Sequence, residues 1–119
     1  MQNFEVVFFK KENGSCPVEK FLNSLDVKMR AKLLRTISLL EKNGSQLREP
    51  YSKSLGDGIF EIRTKQGNDI TRVLYFFFLG KKIILTNGFV KKTQKTPTTE
   101  IDTARKYRNE YLNRKEKSQ

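Results

Sequence analysis

Hydrophobic positions in this 119-residue chain fall into two kinds of stretch, short runs rich in β-branched and aromatic residues and longer runs with helical spacing. The short runs concentrate in the second half of the chain. They predict strands over residues 59–63, 70–79 and 82–87, bounded by clusters of Gly, Asn and Asp. Because connections this short join antiparallel neighbours, the sequence predicts a three-stranded meander.

An N-terminal strand and a helical hairpin are predicted before the meander. Residues 3–9 are apolar at nearly every position, which predicts a strand covered on both faces. Pro17 suits the first position of a short helix over 17–24. A second helix over 27–42, ended by Gly44, is predicted from apolar residues at intervals of four, four and three: Met29, Leu33, Ile37 and Leu40. The hairpin should lay one apolar side on the sheet.

A third helix is predicted after the meander, with Thr96 as N-cap and Pro97 at the first helical position. We expect one domain over 1–113, followed by a polar tail over 114–119. Residues 45–53 have no strand or helix pattern and are predicted to be a loop. The fold class is therefore α+β with the order β-α-α-β-β-β-α and a small, mainly antiparallel sheet.

Composition narrows the functions that this fold could carry. Lys and Arg number 24 against 13 Asp and Glu, and a net charge of +11 favours a polyanionic partner such as nucleic acid, although a merely basic domain would have the same composition. With one cysteine and no histidine, an internal disulfide and a zinc site are not expected. No apolar run is long enough to span a membrane and no secretory leader is evident, so we expect a cytoplasmic protein.

The chemistry available without histidine centres on cations in and around the meander, namely Arg63, Arg72, Lys53, Lys91, Lys92 and Lys95. Arg72 shares a strand face with Leu74 and Phe76, where an unpaired charge would be costly. Two arrangements are open. Arg72 could lie at a sheet end where a groove begins, or it could form a cross-strand pair with Glu61 that only stabilises the sheet.

Such a cationic set suits RNA. Arginine binds phosphate bidentately and can stabilise the charge of a phosphorane-like transition state. A lysine among like charges has a lowered pKa and could move protons near neutral pH. Tyr51 and Phe89 could stack on unpaired bases, although a lone aromatic such as Phe89 is more often part of a core. The basic run over 91–95 could equally be a solvated loop.

Three segments in order, KSLGDGIFEIR at 53–63, TRVLY at 71–75 and GFVKKTQKTP at 88–97, resemble the phage-derived, HigB-type branch of the RelE/ParE toxin superfamily. The resemblance covers nearly the whole chain. It implies a microbial-RNase-like fold and a toxin of a type II toxin–antitoxin system. Such toxins cut mRNA in the ribosomal A site without a metal or other cofactor. The ribose 2′-hydroxyl attacks the adjacent phosphate, which leaves a cyclic phosphate and a 5′-hydroxyl.

The resemblance also implies roles for individual residues. Arg63 and Arg72 would hold the scissile phosphate, and Lys91 and Lys92 would transfer a proton or contact the phosphate. Weaker matches to RNA- or ribosome-contacting positions are Lys53, Phe89 and Lys95. Some relatives place a histidine or a C-terminal tyrosine at the acid/base position. Because this chain has no histidine, the general base stays open between Lys91, Glu61 and a group of the ribosomal RNA.

The implied partners are the ribosome with its mRNA and a cognate antitoxin, with no membrane. In this branch the antitoxin is usually a helix-turn-helix, HigA-like protein, and the complex is expected to be a heterotetramer. Two other classes stay open. A ParE-like protein would inhibit DNA gyrase without cutting RNA, and a non-catalytic module would only bind nucleic acid or the ribosome.

Overall fold

The structure is a computed structural model that describes residues 4–91 and 95–117. It contains five strands and three α-helices. In chain order they are β1 (Glu5–Phe8), α1 (Pro17–Ser24), α2 (Val27–Asn43), β2 (Ser52–Gly56), β3 (Ile59–Gln66), β4 (Asp69–Phe78), β5 (Lys82–Val90) and α3 (Thr98–Lys117). The predicted α+β class, the helical hairpin and the three meander strands are confirmed.

All five strands form one sheet in the order β1-β5-β4-β3-β2. β1 pairs parallel with β5, and every other pairing is antiparallel. The sheet is therefore mixed but mainly antiparallel, as predicted. β1 lies at an edge, yet its side chains contact cores on both faces, because Val6 and Phe8 pack on one side and Val7 on the other.

The strand β2 corrects the predicted element order, which had a loop over 45–53. Gly56, Asp57 and Gly58 all have positive φ, and this turn folds the chain back so that β2 pairs with β3. The pattern of β2, Ser-Lys-Ser-Leu-Gly, lacks the alternating apolar residues that indicate a strand. Its stability comes from pairing and from the Ser52 hydroxyl, which lies 2.6 Å from the Tyr75 hydroxyl.

Helices cover both faces of the sheet. The larger core lies between α1, α2 and one sheet face, and it includes Leu33, Ile37, Leu40 and Tyr75. The opposite face packs against α3 in two smaller clusters that include Tyr111 and Ala104. α2 ends as predicted at Gly44, whose φ is +56°. No helix in the described part of the chain is both long and apolar enough to cross a membrane.

The start of α3 differs from the prediction by one residue. The Pro97 carbonyl accepts hydrogen bonds from the backbone amides of Glu100 and Ile101, so Pro97 precedes the first helical residue, Thr98. Thr96 is not the N-cap, and its hydroxyl has another role in the site described below. α3 continues as helix through Lys117, into the segment predicted as a polar tail.

Candidate functional site

The strand register brings the predicted cations together at one end of the sheet. Arg63 on β3 lies opposite Arg72 on β4, and Arg72 lies opposite Phe89 on β5. One step along the strands, Lys53 on β2 lies opposite Glu61 on β3. Directly opposed residues share a sheet face. The register therefore places residues from different strands in one cluster, in which Glu61 is the acidic residue. The cations of this cluster are Lys53, Arg63 and Arg72.

Arg72 is buried rather than open to the solvent. Its Nη1 lies 2.7 Å from Glu61 Oε2, and the two side chains are 2% and 0% exposed. Features of both arrangements left open by the sequence are present, because Arg72 pairs with Glu61 across the strands and also lines a cleft near the end of the sheet. A buried pair is favourable only if it makes further hydrogen bonds, and Thr96 provides two of them.

Thr96 completes the buried pair. Its hydroxyl accepts a hydrogen bond from Arg72 Nη1 at 2.5 Å and donates one to Glu61 Oε1 at 2.5 Å. A hydroxyl can do both because it carries one donor and two acceptor lone pairs. Thr96 is itself buried. The connection between β5 and α3 is thereby attached to the arginine cluster, and this explains why Thr96 does not cap the helix.

Arg63 is the arginine of the cluster that faces the solvent. Its Nε donates to Glu61 Oε2 at 3.0 Å, and its side chain is 24% exposed. Among the described residues, the terminal nitrogens of Arg63 have no hydrogen-bond partner within the protein. A guanidinium held by Nε with both terminal nitrogens available can bind a phosphate bidentately.

Lys91 lies within the electrostatic field of the same arginines. Partial burial lowers the pKa of its ammonium below the usual lysine value, and the positive charges of Arg72 and Arg63 lower it further. Glu61 raises the pKa, but it does not cancel the arginines. The predicted effect of like charges on a lysine in this cluster is therefore confirmed in direction. Lys91 can release its proton more readily than a free surface lysine.

Two clefts open beside the cluster. The first, which we call the α2-side cleft, has a volume of about 480 Å³ and is lined by Lys32, Thr36, Pro50, Tyr51, Arg63, Thr64, Lys65, Ile70 and Lys91. The second, the α3-side cleft, has a volume of about 520 Å³ and is lined by Lys53, Ser54, Leu55, Arg72, Lys95, Thr96 and Ile101. Within the described residues, every charged side chain that lines either cleft is a cation. Both clefts therefore suit a polyanion.

The other predicted site residues have different positions. Lys53 and Lys95 are exposed and line the α3-side cleft, as an RNA contact would require. Phe89 is half-buried and packs against a core cluster that contains Ile59 and Leu74, the alternative that its sequence also allowed. Lys92 lies outside the described residues.

The candidates for the general base are not equally accessible. Glu61 is fully buried, and both of its carboxylate oxygens accept hydrogen bonds. Tyr107 and Tyr111 pack with Phe9 and Phe76 in the α3-side core, and neither tyrosine lines the clefts. Of the two protein groups considered as the base, Lys91 and Glu61, Lys91 is the accessible one.

Sequence reasoning did not find the cleft residues Lys32 and Lys65 or the role of Thr96. Lys32 stands on the outer face of α2, where a lysine is usually only a solvated charge, and it reaches the cleft through the packing of α2 on β3. Lys65 follows the pattern of an exposed strand end. Tyr51, considered from the sequence as a stacking residue, lines the α2-side cleft with 47% of its surface exposed.

Comparison with known proteins gives one family match. The sequence model of the family described as "Phage derived protein Gp49-like (DUF891)" matches residues 20–109, about three quarters of the chain. The matched region begins in α1 and ends in α3, so it contains both clefts and the Arg72–Glu61–Thr96 group. No curated protein matches the chain.

Proposed function

The chain belongs to the Gp49-like family of phage-derived proteins, a toxin-like family of toxin–antitoxin systems, and on that premise we propose that it is a HigB-type toxin that cuts mRNA on the ribosome. The observation that carries this proposal is the position of Arg63. It lies solvent-facing beside Lys91 in a cleft whose described charged residues are all cations. A phosphate bound there would meet a bidentate donor and a lysine with a lowered pKa.

The proposed reaction needs no group beyond the RNA and the protein. The 2′-oxygen of one nucleotide attacks the neighbouring phosphorus, and the bond from that phosphorus to the 5′-oxygen breaks. The products are a 2′,3′-cyclic phosphate and a 5′-hydroxyl. One proton leaves the 2′-hydroxyl and one is delivered to the departing 5′-oxygen, so the step requires proton transfer at two positions.

Each residue of the site has a distinct part in this mechanism. Arg63 binds the non-bridging oxygens of the phosphate and stabilises the charge that grows on them in the transition state. Arg72 adds positive charge from inside the protein, where Glu61 and Thr96 hold it. Lys91 is the proton-transfer group. Because its pKa is lowered, a larger fraction of Lys91 is neutral at a given pH, and the side chain can both accept and donate a proton.

The proposed partner besides the ribosome is a cognate antitoxin. The net charge of +11 and the two cationic clefts would suit an acidic segment of such a protein as well as RNA. A helix-turn-helix antitoxin in a heterotetrameric complex is the form that the resemblance implies. Co-expression with the gene adjacent to that of this chain, followed by purification through the toxin alone, would test for such a complex.

End-group chemistry on programmed ribosomes tests the proposed function. Purified protein is added to ribosomes with a defined mRNA codon in the A site, and the fragments are analysed for their termini. We expect a 5′-hydroxyl and a 2′,3′-cyclic phosphate at one position in the A-site codon, lost in Arg63→Ala. Fragments with 5′-phosphates, or no fragments from any mRNA, would exclude the proposed reaction.

The alternative is a ParE-like gyrase inhibitor of the same superfamily. Such a protein would require no phosphate-binding arginine and no lysine with a lowered pKa, so the Arg63–Lys91 arrangement favours the nuclease. DNA supercoiling by purified gyrase separates the two functions. Inhibition of supercoiling by the protein, together with intact mRNA on ribosomes, would establish the alternative.

A further inference from the structure

The α2-side cleft contains more cations than one phosphate requires. Lys32 from α2 and Lys65 from β3 line it together with Arg63 and Lys91. Both lysines are exposed, and neither is one of the residues to which the proposed reaction assigns a role. A single scissile phosphate is bound by Arg63, so the two additional charges indicate contacts with further phosphates along the same strand.

Tyr51 provides an aromatic surface in the same cleft. Its side chain is 47% exposed, which makes it one of the few large, exposed, partly apolar side chains among the described residues. Its backbone carbonyl accepts the Arg63 amide at 2.8 Å, so the two residues are neighbours fixed by the sheet. An exposed ring next to a phosphate-binding arginine is the arrangement that proteins use to stack an unpaired base.

The floor of this cleft is polar and ordered. The Thr64 hydroxyl donates to the Thr36 hydroxyl at 3.0 Å, and the Thr36 hydroxyl donates to the Lys32 carbonyl at 3.1 Å. The first of these bonds joins β3 to α2 directly below the cleft, and the second lies within α2. Lys32 therefore emerges from a backbone position that is held relative to Arg63, and the cleft of about 480 Å³ has room for a nucleotide.

We propose that Tyr51, Lys32 and Lys65 form a nucleotide subsite of single-stranded RNA next to the scissile phosphate. Tyr51 stacks on the base, and the two lysines contact the phosphates that flank it. This inference deepens the proposed function and rests on it for the identity of the strand as mRNA. An acidic peptide in the cleft would also contact the lysines. Its carboxylates would not stack on the Tyr51 ring beside Arg63, whereas a nucleotide base would.

The test uses an oligoribonucleotide that cannot be cut because every ribose is 2′-O-methylated, with one 2-aminopurine as a reporter of stacking. Titration of the full-length protein should quench the fluorescence. Tyr51→Phe keeps the ring and should quench like the wild type. Tyr51→Leu should quench less and bind about tenfold more weakly. Absence of quenching by the wild-type protein, or equal quenching by Tyr51→Leu, would overturn the proposal.

Salt dependence separates the phosphate contact from general charge. Lys28 and Lys32 are both exposed on α2, one turn apart, but only Lys32 lines the cleft. Lys32→Ala should reduce the slope of log affinity against log salt concentration by about 0.7, and Lys28→Ala should leave it unchanged. Equal effects of the two substitutions would show diffuse attraction and contradict the subsite.

The proposed function and the subsite can fail separately. If the wild type cuts A-site mRNA but Tyr51→Leu binds and quenches as the wild type does, the nuclease stands and the subsite is wrong. If the oligonucleotide is bound and quenched as expected but no mRNA is cut on ribosomes, the subsite stands and the nuclease is wrong. Displacement of the reporter by an acidic peptide with no change in Tyr51→Leu would assign the cleft to a protein partner and overturn the subsite.

Discussion

Arg72 and Glu61 meet diagonally across β4 and β3, with the guanidinium Nη1 2.7 Å from carboxylate Oε2 and both side chains sealed from solvent. Glu61 Oε2 also accepts from Arg63 Nε. One carboxylate thus joins a buried arginine to a solvent-facing one. Two arginines that would repel each other across the strands are held together, and the outer one is oriented towards the α2-side cleft.

Arg72→Ala should destabilise the protein strongly. Removing one partner of a buried ion pair leaves the other charge uncompensated, at a cost of about 3–5 kcal/mol. Arg63 still compensates part of the Glu61 charge, so the lower end is expected. Urea unfolding gives the free energy directly.

Arg35→Ala is a suitable control for that experiment, because Arg35 is exposed on α2. It should change the free energy of unfolding by well under about 1 kcal/mol. If Arg72→Ala is as stable as this control, the buried pair does not exist in solution.

Thr96→Val should weaken the same group without a large change in shape. Valine has the size of threonine but no hydroxyl, so Arg72 Nη1 loses an acceptor and Glu61 Oε1 loses a donor. An unsatisfied buried polar group costs about 1–3 kcal/mol. Thr96→Ser retains the hydroxyl and should recover most of the loss. A serine variant no more stable than the valine variant would refute the role of the hydroxyl.

The turn between β2 and β3 should give the protein an acid-sensitive component of stability. Hydrogen bonds from Arg108 and Arg105 lower the pKa of Asp57 below its usual 3.8. Stability from a lowered carboxyl pKa is fully present above pH 3.8, and it is lost as pH falls through the folded-state pKa. Asp57→Asn should therefore lower the melting temperature at pH 7, and the loss should be smaller near pH 2.

Asparagine is the appropriate substitution there because Asp57 has a φ of +57°, a conformation that asparagine also tolerates. An equal loss of melting temperature at both pH values would mean that the change acts through the backbone and not through the ion pairs.

Lys91 should titrate at a higher pH when Arg63 is neutralised. The positive charge of Arg63 is one of the causes that lower the Lys91 pKa, so Arg63→Gln should raise it. Burial and Arg72 remain in the variant, so the pKa should stay below that of an ordinary lysine. NMR titration of the Lys91 side chain measures the change, with exposed Lys28 as the internal reference. No change at Lys91 would place Arg63 farther away than the structure has it.

Much of the fold could be predicted from the sequence because most helices and strands are indicated by patterns of residues that lie close together in the chain. Pro17 predicted α1, and the apolar spacing predicted α2, each nearly to the residue. β2 was missed because Ser52 and Lys53 carry no strand pattern, and its pairing depends on a turn with three positive φ values. A pattern within one segment does not show the hydrogen bonds that a partner strand, here β3, makes with it.

The candidate site was also predicted only in part from the sequence. Strand alternation placed Arg72 on an apolar face and showed that burial would need a partner. It could not show that Thr96, 24 residues away, completes the pair, because a threonine before a proline has the local pattern of a helix cap. Lys32 and Tyr51 likewise join the cleft only through the packing of α2 and the 45–51 segment on the sheet.

The measurement that tests the central claim most directly is mapping of transcript 5′ ends in bacteria after induction of the wild type and of Arg63→Ala/Lys91→Ala. Both substitutions lie at the solvent-facing part of the site, so the double variant should fold, which circular dichroism can verify. We expect new 5′ ends within translated reading frames for the wild type and none for the variant. Growth arrest without new ends, accompanied by a DNA-damage response, would contradict the nuclease and favour the gyrase inhibitor.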